Sequence, residues 1–120
     1  MFDKLLIEEL LPKKILFAVR DNHVLNDVTV EFAKKIGLDK VAEVISSGSK
    51  IAGTNLKGTN KTFNEIFFDA PVVISKGQGN YETLENCGRE VFYMFKVKCD
   101  PIAKHTGFKI GTSVLLKLPK

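Results

Sequence analysis

Apolar and polar residues along this chain follow first a helical spacing and then the continuous pattern of a buried strand. Leucines and Ile7 recur among acidic residues at helical spacing in the first eleven positions, until Pro12 ends the pattern because its ring cannot continue a helix. The apolar run from Lys14 to Arg20 then predicts a buried strand. The chain is therefore expected to open on a helix that leads into a strand.

Further strands and helical segments alternate along the rest of the chain. The pattern predicts a helix that follows Asp27 and ends at Gly37, a short helix around 63–67, a helix after residue 80, a short turn or helix at 101–105, and strands at 41–45, 71–75, 90–97 and 112–118. Strands that alternate with helical connections predict an α/β fold with a mostly parallel sheet of about five strands, covered on both faces.

Composition excludes several classes of protein. The 120 residues are expected to form one domain, and no apolar run approaches the roughly 18 residues that a membrane span needs. The acidic N-terminal residues do not resemble an export signal, so a cytoplasmic location is expected. The net charge of +4 is scattered, without a basic cluster of the kind that binds nucleic acid. Cys87 and Cys99 are too few and too far apart for a thiolate metal site.

Three polar clusters follow predicted strands, at 21–27, 46–55 and 76–80. In open parallel sheets, ligands gather outside the carboxyl ends of the strands. We therefore expect these clusters to converge on one crevice.

The third cluster contains the most informative motif, Lys76-Gly77-Gln78-Gly79-Asn80, directly after an apolar strand. Glycines let backbone N–H groups turn toward an anion, the following helix start adds partial positive charge, and Lys76 adds a full one. The motif predicts a phosphate site, with Asn80 either orienting a substrate or stabilising the turn. The alternatives are an ordinary strand-to-helix turn whose glycines take positive φ, and a lysine that is merely a surface residue.

Asp27 is the candidate metal ligand, because a carboxylate between a predicted strand and a predicted helix can hold a divalent metal that faces the glycine motif. The alternative is that Asp27 caps the helix by accepting its free N–H groups. One carboxylate alone makes a poor site, since Mg²⁺ or Mn²⁺ takes about six oxygen ligands.

Four sequence blocks, spread over nearly the whole chain, share their order and spacing with one known family. They are FDKLLIEEL at 2–10, LNDVT at 25–29, ISKGQGNYETL at 74–84 and KVKCDPIA at 96–103. These blocks resemble the damage-control phosphatase family, formerly domain of unknown function eighty-nine, and in particular its archaeal and bacterial stand-alone branch.

The resemblance implies a Rossmann-like α/β/α sandwich that hydrolyses small phosphorylated metabolites of the sugar-phosphate type. It implies a divalent cation, Mn²⁺, Co²⁺, Ni²⁺ or Mg²⁺, with Asp27 as one ligand and a catalytic residue. Lys76, the second catalytic residue, would bind the substrate phosphate together with Gly77, Gly79 and Asn80.

In the family, an Asp-Asn-Ala-Gly-Glu segment supplies two further metal ligands, and the resemblance places it just before Phe2. The chain is therefore expected to be the C-terminal portion of the phosphatase domain, without the metal-site strand and the helical N-terminal domain, and the resemblance does not assure activity of the isolated chain. The alternatives are a non-catalytic module that binds phosphometabolites, a subunit completed by a partner chain or in a homo-oligomer, and a truncated reading frame that folds without function.

Overall fold

A computed structural model gives the fold and describes residues 3–10, 13–21 and 29–119. The helices are α1 (Asp3–Leu10), α2 (Val30–Lys35), α3 (Lys61–Asp69), α4 (Gln78–Leu84) and α5 (Asp100–Thr106), with a 3₁₀ turn at Leu38–Lys40. The strands are β1 (Leu16–Val19), β2 (Glu43–Ser46), β3 (Ile74–Lys76), β4 (Val91–Lys96) and β5 (Ser113–Leu118). The alternation of strands and helices confirms the predicted α/β class.

The strands form two hydrogen-bonded groups among the described residues. Strand β1 pairs in parallel with β2, and β3 pairs in parallel with β4, as predicted. The predicted single sheet of about five strands is not what these residues form, because no hydrogen-bonded pairing joins the two groups.

Strand β5 runs antiparallel to β4, from the Lys96–Ser113 pair to the Val91–Leu118 pair. The backbone reverses through Gly107 (φ 79°) and Gly111 (φ 89°), both in the left-handed region that glycine adopts most easily. The N–H of Gly111 then donates to the carbonyl of Val97 (2.8 Å) and begins the return of the chain.

The glycine motif differs from its predicted form. Strand β3 ends at Lys76 and α4 begins at Gln78, so Gly79 and Asn80 are helical and Gly77 alone forms the turn. Pairing with β4 fixes this boundary, since the register continues to Lys76 opposite Met94.

The start of α2 settles one alternative from the sequence. The side chain of Thr29 accepts a hydrogen bond from the N–H of Phe32 (3.3 Å), so Thr29 is the N-cap of this helix. The N-cap role in α2 that the sequence allowed for Asp27 is therefore performed by Thr29. Asp27 itself lies outside the described residues.

The larger apolar cluster holds α3, α4 and α5 against β4. At its centre the ring of Tyr81 stacks on Phe95 with centroids 4.5 Å apart and meets Tyr93 edge-on at 5.3 Å. The Tyr93 hydroxyl donates to the carbonyl of Leu84 (2.7 Å), which satisfies the one polar atom of that buried side chain. These contacts seat α4 on β4 and so fix the position of its first turn. A second cluster packs α1 and α2 against β1, and its buried members are Ile7, Val19, Ala33, Leu38 and Ala42.

Candidate functional site

The carboxyl ends of β1 and β2 are joined by backbone hydrogen bonds beyond the strands. The N–H of Ser47 donates to the carbonyl of Val19 (2.8 Å), and the N–H of Asp21 donates to the carbonyl of Ser49 (3.1 Å). The first polar cluster thus begins beside the second, as the sequence predicted.

A buried arginine links these ends to the glycine motif. Arg20 directly follows β1 and is 8% exposed, with its guanidinium donating to the Asn80 side-chain oxygen (2.7 Å) and to the Thr54 hydroxyl (3.2 Å). The Thr54 hydroxyl in turn donates to the same oxygen of Asn80 (2.8 Å). The three side chains are hydrogen-bonded to one another in a closed triangle. Thr54 and Asn80 belong to the second and third predicted clusters, and Arg20 directly precedes the first.

Asn80 also holds the turn that carries Lys76. Its side-chain NH₂ donates to the Lys76 carbonyl (2.6 Å), while its oxygen accepts from Arg20 and Thr54. This arrangement supports the alternative in which Asn80 stabilises the turn. Direct contact of Asn80 with a substrate stays a prediction.

Gly77 has a conformational role that the sequence suggested and a hydrogen bond that it did not. Its φ of 95° lies in the region that favours glycine, and a Cβ atom there would meet nothing within 4 Å. Its N–H, however, donates to the carbonyl of Met94 (2.9 Å). The expectation that this N–H turns toward an anion is therefore wrong, because the sheet ladder already uses it.

Gly53 permits a close approach between the long loop after β2 and α4. A Cβ atom on Gly79 would lie 3.5 Å from the backbone nitrogen of Gly53, and one on Gly53 would lie 2.8 Å from the carbonyl oxygen of Gly79. One residue further along the loop, the N–H of Thr54 donates to the Thr83 hydroxyl (2.8 Å). The loop therefore lies directly on the first turns of α4, and this contact positions Thr54 for the triangle.

Comparison with known proteins identifies the family. The model of the damage-control phosphatase ARMT1-like domain matches residues 1–114. This chain belongs to that family.

Archaeal relatives support the assignment. A damage-control phosphatase of Pyrococcus horikoshii is 38% identical over 120 residues, which cover 97% of this chain and 42% of the relative. An uncharacterized protein of Methanocaldococcus jannaschii is 38% identical over 98% of this chain and 40% of its own length. A damage-control phosphatase of Archaeoglobus fulgidus is 27% identical over 94% of this chain and 41% of its own length. The chain thus spans about two-fifths of the curated relatives that it matches.

A crystal structure shows the same arrangement of elements. The DUF89 family protein of P. horikoshii superposes with a TM-score of 0.90 at 38% identity, covering 97% of this chain and 42% of the other. No helix within the described residues is long and apolar enough to cross a membrane.

The residues of this family member that the structure describes do not form a divalent-cation site. Within 3–10, 13–21 and 29–119, no group of three or more His, Cys, Asp and Glu side chains could hold a metal ion. Asp21 places a carboxylate at the carboxyl end of β1, and that carboxylate accepts a hydrogen bond from the Ser46 hydroxyl (3.0 Å). One carboxylate does not provide the roughly six oxygen ligands of Mg²⁺ or Mn²⁺. Asp27, the predicted ligand, is not among the described residues.

Four residues of the site in this damage-control phosphatase family member were not predicted from the sequence. Arg20 carried one signal, a charged residue that ends a buried apolar run, and such a residue needs polar partners when it is buried. Thr54 and Gly53 lay in a predicted loop without a local signal, and Thr83 lay in a predicted helix. Their roles depend on contacts between segments that are far apart in the chain.

Proposed function

We propose that this chain forms the phosphate-binding portion of a metal-dependent phosphatase domain that hydrolyses small phosphorylated metabolites of the sugar-phosphate class. The observation that carries the proposal is the junction at the carboxyl ends of β1, β2 and β3. There, buried Arg20 is hydrogen-bonded to Asn80, and Asn80 holds the turn that follows Lys76. Family membership supplies the chemistry, and the junction suggests where a phosphate would bind.

Lys76 is the residue assigned to the phosphate. It is exposed at the end of β3, and an ammonium group there would neutralise charge that develops on the phosphoryl oxygens. Gly77 and Gly79 would let the ligand approach the backbone closely, since neither carries a side chain. Asn80 would keep the turn in one conformation.

A divalent cation, Mn²⁺, Co²⁺, Ni²⁺ or Mg²⁺, belongs to the proposal through Asp27. The described residues do not complete its site, so the remaining ligands would have to come from elsewhere. A titration of Mn²⁺ by calorimetry tests this part without any turnover. We expect Asp27→Asn to weaken Mn²⁺ binding, whereas Asp21→Asn, a matched change beside β1, leaves it largely intact. Measurable Mn²⁺ binding by the wild type that Asp27→Asn retains in full would refute the assignment.

A second candidate function is a binding module or a subunit completed in trans. One observation favours it: the two strand groups share no hydrogen-bonded pairing in the described part of the chain. A strand from a partner chain, or from a second copy, could join the groups into one Rossmann-like sheet with helices on both faces.

The predicted cytoplasmic location stays a prediction.

Phosphate release distinguishes the two candidates. The purified chain would be assayed with p-nitrophenyl phosphate and a panel of sugar phosphates, with each cation or with EDTA. Lys76→Ala is the test variant, and Lys14→Ala is the control because Lys14 lies at the amino end of β1, opposite the site. Metal-dependent release that Lys76→Ala abolishes and Lys14→Ala retains would support the phosphatase. Binding of phosphate esters without release would favour the second candidate. Neither binding nor release would refute both.

A further inference from the structure

We propose that Arg20 is a positioning residue, which sets the conformation of the Lys76 turn through Asn80. The bond between Arg20 and Asn80 spans 60 residues of sequence and joins the end of β1 to the first turn of α4. Neither the family match nor the sequence motifs assign Arg20 a role.

The triangle fixes the orientation of the Asn80 carboxamide. Its oxygen accepts from two donors, Arg20 at 2.7 Å and the Thr54 hydroxyl at 2.8 Å. A reversed amide would place its own N–H groups against these donors, because an NH₂ group donates and does not accept. Only one orientation satisfies the triangle, and in that orientation the NH₂ group reaches the Lys76 carbonyl at 2.6 Å.

An arginine suits this position better than a lysine. A guanidinium presents several N–H donors in one rigid plane, so it contacts Thr54 and Asn80 at the same time. A lysine would keep the charge at this buried position but would lose the planar fork. Arg20→Lys therefore separates the effect of geometry from the effect of charge.

The triangle is connected to Lys76 through the Asn80 side chain. Gly77 occupies a backbone conformation with φ of 95°, and the Lys76 carbonyl just before it is held by Asn80. Without the triangle, Asn80 loses the two donors that orient it, and the turn gains alternative conformations. Lys76 then spends less time in the conformation that binds phosphate, which lowers apparent affinity without removing any ligand contact.

The test compares four proteins by NMR, each as the full 120-residue chain. They are Arg20→Lys, which keeps the charge, Thr54→Val, which removes the hydroxyl and keeps Arg20, the wild type, and the control Arg89→Lys. Arg89 is a matched control because its guanidinium also donates to two acceptors, the carbonyls of Phe67 and Ala70, at the far end of α3. Circular dichroism verifies that every variant is folded.

The first readout is the Asn80 side-chain NH₂ resonance. In the wild type it should be a well-separated pair, since the amide has a fixed orientation. In Arg20→Lys and Thr54→Val the two NH₂ chemical shifts should move toward those of solvent-exposed amides. In Arg89→Lys the two chemical shifts should not change. An unchanged Asn80 resonance in Arg20→Lys would overturn the positioning role.

The second readout is a titration with inorganic phosphate, followed at the amides of Lys76 and Gly77, and this part rests on the proposed function. Loss of one hydrogen bond from a charged donor should weaken phosphate binding about tenfold in Arg20→Lys, and the Arg89→Lys affinity should equal that of the wild type. Weaker binding with an unchanged Asn80 resonance would mean that Arg20 affects phosphate binding by a route other than Asn80, and the proposal would be wrong. If the wild type itself shows no response to phosphate, the proposed function fails, and the Asn80 resonance alone decides the positioning role.

Discussion

Gly53→Ala is the substitution that tests most directly how the long loop is seated on α4. Gly53 has a φ of 77°, and an added Cβ atom would lie 2.6 Å from the methyl carbon of Thr83 and 2.8 Å from the carbonyl oxygen of Gly79. Real Cβ atoms do not approach other atoms this closely, so the loop or the helix must move. The Gly79 oxygen is backbone and cannot rotate away.

The expected cost has two parts. A side chain in the left-handed region costs roughly 1–2 kcal/mol, and overpacking of a close contact typically adds about 1–3 kcal/mol. Gly53→Ala should therefore lower the free energy of unfolding by about 2–5 kcal/mol, a large share of the roughly 5–15 kcal/mol that folded domains have. The displaced loop would also weaken the bond from Thr54 to Thr83.

Urea unfolding followed by far-ultraviolet circular dichroism measures this difference against a matched control. Gly88→Ala has the same backbone penalty, because its φ is 86°, but its Cβ atom would meet nothing within 4 Å. We expect Gly88→Ala to cost only the backbone share, about 1–2 kcal/mol. Thr83→Ser removes the methyl group at 2.6 Å and should recover part of the Gly53→Ala loss. If Gly53→Ala costs no more than Gly88→Ala, the close seating of the loop on α4 is wrong.

Three further predictions concern the core and the α3 cap. Ser75 Oγ is buried without a hydrogen-bond partner among the described residues. Ser75→Ala should therefore leave the free energy of unfolding, measured with urea, unchanged or raise it by up to about 1 kcal/mol. A clear decrease would contradict this and show that the hydroxyl has a partner. Burial raises the pKa of Tyr81, and the neighbouring Glu85 raises it further. Burial likewise raises the pKa of Tyr93, with a smaller contribution from Cys87. In the folded chain both tyrosines have a pKa above the unfolded value of 10.0. Their protonated forms therefore contribute fully to the free energy of unfolding below about pH 10, and this contribution is lost as the pH rises further. Tyrosinate absorbance against pH should show both residues ionising late in the folded chain, and a normal titration would contradict this. Asn60 caps α3 by accepting from the N–H of Phe63 (2.7 Å), so Asn60→Ala should cost about 1–2 kcal/mol in the same urea assay, and no loss would contradict the cap.

The sequence by itself determined the local elements of this protein. Apolar spacing together with turn and cap residues predicted the order of the strands and α-helices in the described residues, with 101–105 given as a turn or a helix, but not the 3₁₀ turn at Leu38–Lys40. Burial of one face requires this spacing wherever the segment finally packs. The blocks around 74–84 and 96–103 also identified the family, since the resemblance depends on residue order alone. Convergence of the polar clusters was predicted because ligand-binding residues gather at the carboxyl ends of strands in open parallel sheets, and in the described residues Asp21 is hydrogen-bonded to Ser49 and Thr54 to Asn80.

Only the tertiary structure decided which residues meet at the junction. Arg20 and Asn80 are 60 positions apart, and no local pattern records that a guanidinium at the end of β1 lies beside the first turn of α4. No local sequence pattern distinguishes Gly53 from Gly88, yet of the two only Gly53 lies against a neighbouring helix. The direction of β5 and the end of β3 at Lys76 likewise came from pairing with β4. Local spacing fixes which face of a segment is buried, whereas these contacts depend on where separate segments come to rest against each other.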